Sequence, residues 1–262
     1  METKTGVVVF LDALGVSNRT LEESINFVLT RDELITGVKR IWELRGEQFR
    51  VELENELPQP EIAIFQDSII ICWPEQKGRK QDLLPLFLAA GQWLTDAITF
   101  AIGMKIFYRG AISIGEYIFN ASAENITVIG PAITDAYSFH DCADWIGVIQ
   151  TPNCQKQYQS FLEADARQRN EKINPDFYEF LFVRYLVPLH DGKNEEFYAL
   201  SWPMLSCKID DEHSISEDLL DMSHSVNPEY KSKYDNATLF FEWYKKNIFP
   251  KINYYTPPSR RD

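Results

Sequence analysis

The order in which the apolar periodicity changes along the chain restricts its fold more than any single residue does. Val7 to Leu11 is a β-branched and apolar run that closes on Asp12, the pattern of a buried strand. Gly15 breaks it, and Leu21 to Leu44 carries apolar residues at helical spacing, as one long helix or two short ones. Glu52 to Pro60 is acidic and proline-bearing, a loop by composition. Glu61 to Trp73 reads as a hairpin with Gln66-Asp67-Ser68 at its tip, and Leu83 to Ile102 as a strongly apolar helix. Strands are expected at Phe107 to Phe119, Ile126 to Ile129 and Trp145 to Gln150. A helix should start at Pro131, which suits a first helical turn, and a polar helix should span Gln155 to Asn170. A second hairpin, Phe180 to Leu189 and Glu196 to Trp202, turns at His190 to Asn194, and two aromatic-rich helices close the chain. The order β-α-ββ-α-β-β-α-β-α-ββ implies an α+β fold with a largely antiparallel sheet flanked by helices. The expected division is one catalytic-sized domain over 1–205 with a helical extension over 206–262.

Composition narrows the function classes. Hydrophobic residues make up 45% of the chain, too many for a disordered protein. With 26 Lys and Arg against 39 Asp and Glu, the net charge is −13, which argues against a nucleic-acid partner and against docking on anionic membranes. An acidic protein that handles a polyanion needs a cation to carry the countercharge. No membrane span and no signal peptide are expected. The four cysteines, Cys72, Cys142, Cys154 and Cys207, form no CxxC pair, which fits a reduced cytoplasm.

Two segments share a pattern. Phe10-Leu11-Asp12 and Phe65-Gln66-Asp67 each end an apolar strand in an aspartate with a Phe two residues before it. Side chains alternate along a strand, so each Phe shares a face with its Asp. Taken singly, Asp12 is a helix cap and Asp67 a turn residue. If the strands are neighbours, two carboxylates meet at one end of the sheet, and such a pair calls for a proton or a bridging cation. Hard oxygen donors suit Mg²⁺ or Mn²⁺ with phosphate completing the shell.

At this point the sequence resembles the class III nucleotidyl cyclases. The family strand F-x-D-I-x-G-F is matched by Phe10 to Val16. Its Gly-Asp hairpin is matched by Gln66-Asp67, and its strand R-x-G-I-x-x-G by Arg109 to Gly115. Its last motif, a glycine followed by a helix, is matched by Gly130 to Ala136. The match covers roughly residues 6 to 150. The resemblance implies a ferredoxin-like βαββαβ core and a homodimer with sites across the interface. It also implies two Mg²⁺ or Mn²⁺ ions per site on Asp12, Asp67 and the Ala13 carbonyl, with phosphate cradled by the amides of Leu14, Gly15 and Val16. Phe10, Phe65 and Thr134 would face the nucleotide.

The departures are specific. Purine cyclases of the family carry a base-reading Lys where this chain has Ala63. They hold ribose and transition state with an Asn and an Arg where it has Thr134 and Ser138, and Pro131 replaces a small polar residue. Arg109, Arg184 and Arg50 are the candidate replacement cations, with Lys193 a solvated turn residue by default. Either the chain is an inactive relative or it cyclises another base. Both aspartates are retained, and the short chain resembles the pyrimidine cyclases of bacterial Pycsar anti-phage systems, whose cyclic nucleotide activates a separate effector. Phe10, Phe49, Phe65 and Tyr137 would narrow a base pocket, or simply fill the core. The resemblance favours UTP, then CTP; a purine cyclase with an unusual pocket and an inactive nucleotide-binding module are the alternatives.

Overall fold

A computed structural model describes residues 2–16, 19–53, 58–75, 83–122, 125–168, 180–209 and 215–252. Its axis is β1 (Lys4–Ala13), ten residues paired antiparallel on both sides, with β3 (Ser68–Pro74) and with β4 (Tyr108–Ala121). Close approach to β4 depends on Gly110, where a Cβ would lie 2.3 Å from the Phe10 carbonyl oxygen. β2 (Glu61–Phe65) pairs with β3 across the two-residue turn Gln66-Asp67. With α1 (Leu21–Leu53) and α2 (Leu83–Gly103), the elements β1-α1-β2-β3-α2-β4 form a ferredoxin-like βαββαβ core in the strand order β2-β3-β1-β4.

The sheet continues past that core. β4 pairs parallel with β6 (Gly147–Gln150), which pairs with β8 (Asn194–Leu200), and β7 (Phe182–Pro188) forms the far edge. The short β5 (Ile126–Ile129) pairs with the end of β4. The β4–β6 pair is parallel because α3 (Pro131–Phe139) lies on the connection between the two strands, and a crossover of that kind returns the chain in the same direction. All other pairs are antiparallel, and the fold is α+β.

Alternation along β1 sorts the two faces. Val7, Val9 and Leu11 point into the main core with residues of α1 and α2, while Val8 and Phe10 pack on the other face against Ala132, Ile133 and Ala136 of α3. Trp42 of α1, Trp73 of β3 and Trp93 of α2 meet with ring centroids 5.4–6.5 Å apart, and Trp93 Nε1–H donates to the Val38 carbonyl at 2.9 Å. Buried indole N–H groups usually find such a partner; those of Trp42 and Trp73 have none among the described residues. α2 is the one helix among the described residues long and apolar enough to cross a membrane, against the expectation of none; 72% of its apolar window is buried inside the fold.

α1 is a single helix, nine residues longer than its apolar stripe. After Leu44 only Phe49, Val51 and Leu53 are apolar, among charged and polar residues and Gly46, too sparse a signal for periodicity to extend the helix. The loop expected from Glu52 therefore begins later, with 54–57 outside the described residues. α4 (Pro152–Gln168) packs beside β4 and β6. The tail holds α5 (Pro203–Ile209), not expected from the sequence, then α6 (Ile215–Ser225), α7 (Pro228–Asn247) and α8 (Phe249–Ile252). Phe240, Phe241 and Tyr244 of α7 are fully buried in the main core, against Trp145, Tyr185 and Trp202.

Candidate active site

Asp12 is the penultimate residue of β1. Its register partners are Ser68 at the start of β3 and Arg109 at the start of β4. The next residue, Ala13, donates its N–H to the Asp67 carbonyl at 3.0 Å. The two aspartates of the sequence pattern are therefore brought to one end of the sheet, Asp12 near the end of β1 and Asp67 in the turn that leads into the adjoining β3.

The turn that carries Asp67 is held from outside. Arg31 of α1, nearly buried, donates Nη1–H to the Gln66 carbonyl at 2.6 Å and pairs with Asp32 at 2.9 Å. Gln66 sits at φ 50, the left-handed region where the family pattern has glycine. Sequence reasoning missed Arg31 because its target is a backbone oxygen 35 residues away.

Around Asp12 the polar contacts are specific. Arg109 Nε and Nη2 both reach Asp12 Oδ2, at 3.3 and 3.1 Å, and Ser68 Oγ–H reaches Oδ1 at 3.3 Å. Both members of the ion pair are largely shielded, at 17% and 18% side-chain exposure, so water screens it little. Asp67 is half-buried and carries no ion pair among the described residues.

On the Phe10 side of the sheet, Phe10 meets Tyr137 edge-on at 5.2 Å and His140 at 4.7 Å, and Tyr137 stacks on His140 at 4.9 Å. Phe10 is buried, whereas Phe65 and Tyr137 are exposed. Ala63, where the family's purine cyclases carry a base-reading Lys, is fully buried in the small apolar cluster under α3.

Some expectations need correction. The Leu14 amide does not face a phosphate, because it donates to the Phe107 carbonyl at 2.8 Å. Gly15, at φ 72 with open space around it, and Val16 continue the turn, and the Val16 carbonyl accepts from Arg19 N–H. The helix start at Leu21 is no anion site either. It carries Glu22 and Glu23 in its first turn, and Glu23 closes a capping box with Thr20 (Glu23 Oε2 accepts from Thr20 N–H at 2.7 Å). Thr134 and Ser138 are exposed on α3, with hydroxyls spent on the helix's own carbonyls of Gly130 and Thr134.

Arg184 lies on the far edge strand, four strand spacings or about 19 Å from β1. There it pairs with Glu196 at 3.5 Å and Tyr198 Oη at 3.1 Å, so it does not reach Asp12 of its own chain. Lys193 pairs with Asp191 at the exposed turn. The side chains of Phe49 and Arg50 lie outside the described residues.

The donor set is two carboxylates with backbone carbonyls nearby, all hard oxygens. Among the described residues no cluster of three or more His, Cys, Asp or Glu side chains is placed to hold a metal, so the aspartate pair would rely on backbone carbonyls, water and substrate phosphate to complete a shell. That set fits Mg²⁺ or Mn²⁺, which are typically held by one or two carboxylates with substrate phosphates supplying other positions.

No family model and no characterised protein sequence matches the chain. Among solved structures, it is similar to the catalytic core of a rhodopsin-guanylyl cyclase with converted specificity, in complex with ATPαS. That match has 10% identity and TM-score 0.45, and covers 76% of this chain and 97% of the other. It is also similar to the adenylyl cyclase CyaB from P. aeruginosa, at 10% identity and TM-score 0.41, covering 76% and 94%. The dimeric guanylyl cyclase domain of the RhoGC fusion protein from Blastocladiella emersonii matches at 12% identity and TM-score 0.44, covering 76% and 98%.

Proposed function

We propose that this chain is a class III nucleotide cyclase that converts a pyrimidine nucleoside triphosphate, UTP before CTP, into the 3′,5′-cyclic nucleotide and pyrophosphate. The observation that carries the reading is the meeting of Asp12 and Asp67 at one sheet end, joined through the Ala13–Asp67 backbone bond. In the reaction the ribose 3′-oxygen bonds to the α-phosphorus, the α–β anhydride bond breaks, and pyrophosphate leaves. The 3′-hydroxyl proton passes to solvent.

Asp12, Asp67 and the Ala13 carbonyl would hold two Mg²⁺ or Mn²⁺ ions. When bound, these supply charge neutralisation for the triphosphate and a lowered pKa for the 3′-hydroxyl. The chain's own part is to fix the donors. Arg31 holds the Asp67 turn, Ser68 and Arg109 orient the Asp12 carboxylate, and the open backbone at Gly15 leaves room beside the phosphates. The pyrimidine choice is supported by Ala63, buried where a purine-reading Lys would stand, and by the Phe10–Tyr137–His140 cluster on the Asp12 face of β1.

Arg109 is committed to Asp12, so the transition-state cation must come from elsewhere. Arg184, exposed on the opposite sheet edge, is the candidate in a homodimer whose sites combine two subunits. Residues 1–205 would carry the chemistry, with the described helices that follow packed on them. The enzyme would work in the cytoplasm, with its product acting on a separate effector protein in anti-phage defence.

The test is incubation with each of the four NTPs and Mn²⁺, with products identified by mass. A single cyclic pyrimidine nucleotide, lost in both Asp12→Asn and Asp67→Asn, is the expected result. Cyclic AMP or GMP would establish a purine cyclase, and no product from the folded protein an inactive module.

A further inference from the structure

The contacts that begin at Asp12 run on past Arg109. Arg109 Nη1 lies 3.2 Å from His190 Nε2, in the turn between β7 and β8. Nδ1 of the same ring is 3.4 Å from Asp144 Oδ1, just before β6, and that oxygen accepts from Lys233 Nζ of α7 at 3.0 Å. The backbone pins the middle of this chain: Asp144 N–H donates to the Pro188 carbonyl at 2.8 Å, His190 N–H to the Cys142 carbonyl at 3.2 Å, and Asn236 Nδ2 to the Asp144 carbonyl at 2.7 Å.

The state of the imidazole follows from its neighbours. Burial lowers the His190 pKa, the Lys233 and Arg109 charges act with it, and Asp144 and Asp141 oppose. A neutral ring with its hydrogen on Nδ1, toward Asp144, offers the Nε2 lone pair to Arg109. The guanidinium is then held between two acceptors.

This geometry explains an oddity at Asp12. Arginine and carboxylate prefer a fork of two parallel hydrogen bonds to two oxygens. Here both Arg109 donors converge on Oδ2, and Oδ1 has only the weaker Ser68 contact. We propose that His190 is a positioning residue for the metal site: backed by Asp144 and Lys233, it draws Arg109 off the two-oxygen fork and keeps Asp12 Oδ1 open to a divalent cation. Without the ring, the guanidinium would close on both oxygens, and the cation would have to displace it. The inference rests on the metal-binding role of Asp12 proposed above. It makes α7, some 220 residues along the chain, a support of that site.

The test is nucleotide-free. The full-length protein is titrated with Mn²⁺ and free ion is read by electron paramagnetic resonance. His190→Ala should weaken Mn²⁺ binding about tenfold, the lower end of what loss of a group supporting a metal ligand costs. His190→Gln, whose side-chain carbonyl can take the same Nη1–H, should recover most of it. In an Arg109→Met background His190→Ala should change affinity less than about twofold, because the group it restrains is gone. Unchanged affinity in His190→Ala, or an equal loss without Arg109, overturns the proposal. A wild-type protein binding Mn²⁺ no better than Asp12→Asn overturns the metal reading itself. Should the alanine variant not fold, ¹⁵N NMR of the wild-type ring decides: the Nδ1–H tautomer is expected, and an Nε2–H ring, unable to accept from Arg109, sinks the idea.

Discussion

Lys233→Met is a demanding test of how the C-terminal helix is joined to the rest of the fold. The methionine keeps the length and apolar stem of the lysine but removes the ammonium that sits 3.0 Å from Asp144. The two side chains are 9% and 18% exposed, so solvent screens the pair little. Breaking a shielded pair by removing one partner typically costs about 3–5 kcal/mol, mostly through the charge left behind. Asp144 keeps Ser232 and His190 as partners, which places the expected loss at about 2–4 kcal/mol. For a chain of this size that lowers Tm by about 4–12 °C.

Thermal denaturation followed by circular dichroism reads this directly. The pH dependence gives a second check. Burial works to raise the Asp144 pKa but is outweighed by hydrogen bonds from Ser232 and Lys233 and by the Lys233 and His190 charges, so it lies below the usual carboxylate range. A depressed carboxylate contributes stability above its unfolded pKa of about 3.9 and loses it as pH falls through the folded value. The gap between wild type and Lys233→Met should therefore be full near pH 7 and shrink below about pH 4. Asp144→Asn alone should be destabilising, and the double variant should cost clearly less than the two singles added. A Tm change under 2 °C, or strict additivity in the double variant, would refute the reasoning.

Two further outcomes follow from the core and the hairpin. Gln66→Gly should leave stability equal or raise it by up to about 1 kcal/mol in urea unfolding, since relief of a left-handed residue offsets the extra chain entropy of glycine. The Arg31 bond goes to the backbone and survives the change. Trp93→Phe should lose about 2–3 kcal/mol, through the lost Val38 hydrogen bond and the space left between Trp42 and Trp73, and a loss under 1 kcal/mol would contradict the packing described.

The strands and the paired aspartates were legible because their signals are local. An apolar run stopping at Asp12, and Gln66-Asp67 between two such runs, each declare themselves within a dozen residues. The partner of Asp12 is only half legible: the sequence offers Arg109 as a candidate cation, but its engagement with Asp12 follows from the β1–β4 register. His190, Asp144 and Lys233 carry no signal in sequence, being a turn histidine, a loop aspartate and one lysine among several on an aromatic-rich helix. Long-range pairing alone unites them. The phosphate cradle failed at Leu14 for a related reason, since a backbone amide's partner depends on which strand end lies beside it. The length of α1 is hidden because its last turns hold only Phe49, Val51 and Leu53 among charged and polar residues and Gly46, too few apolar positions to declare a stripe.

Asp12 and Asp67 belong to parts of the sheet with different claims to permanence. Asp12 ends the central strand, paired on both sides, where amide exchange requires the whole domain to open. Asp67 rides on the turn of the β2–β3 hairpin, whose five-residue outer strand is a sheet edge among the described residues, with Arg31 tethering the turn. The edge strand β2 and the turn at its end can fray in a local fluctuation far less costly than unfolding, while β3 stays paired with β1. The two carboxylates are thus assembled from the slowest-exchanging and one of the faster-exchanging segments. On warming, the pairing would come apart at the Gln66-Asp67 turn while far-ultraviolet ellipticity still reports a folded chain.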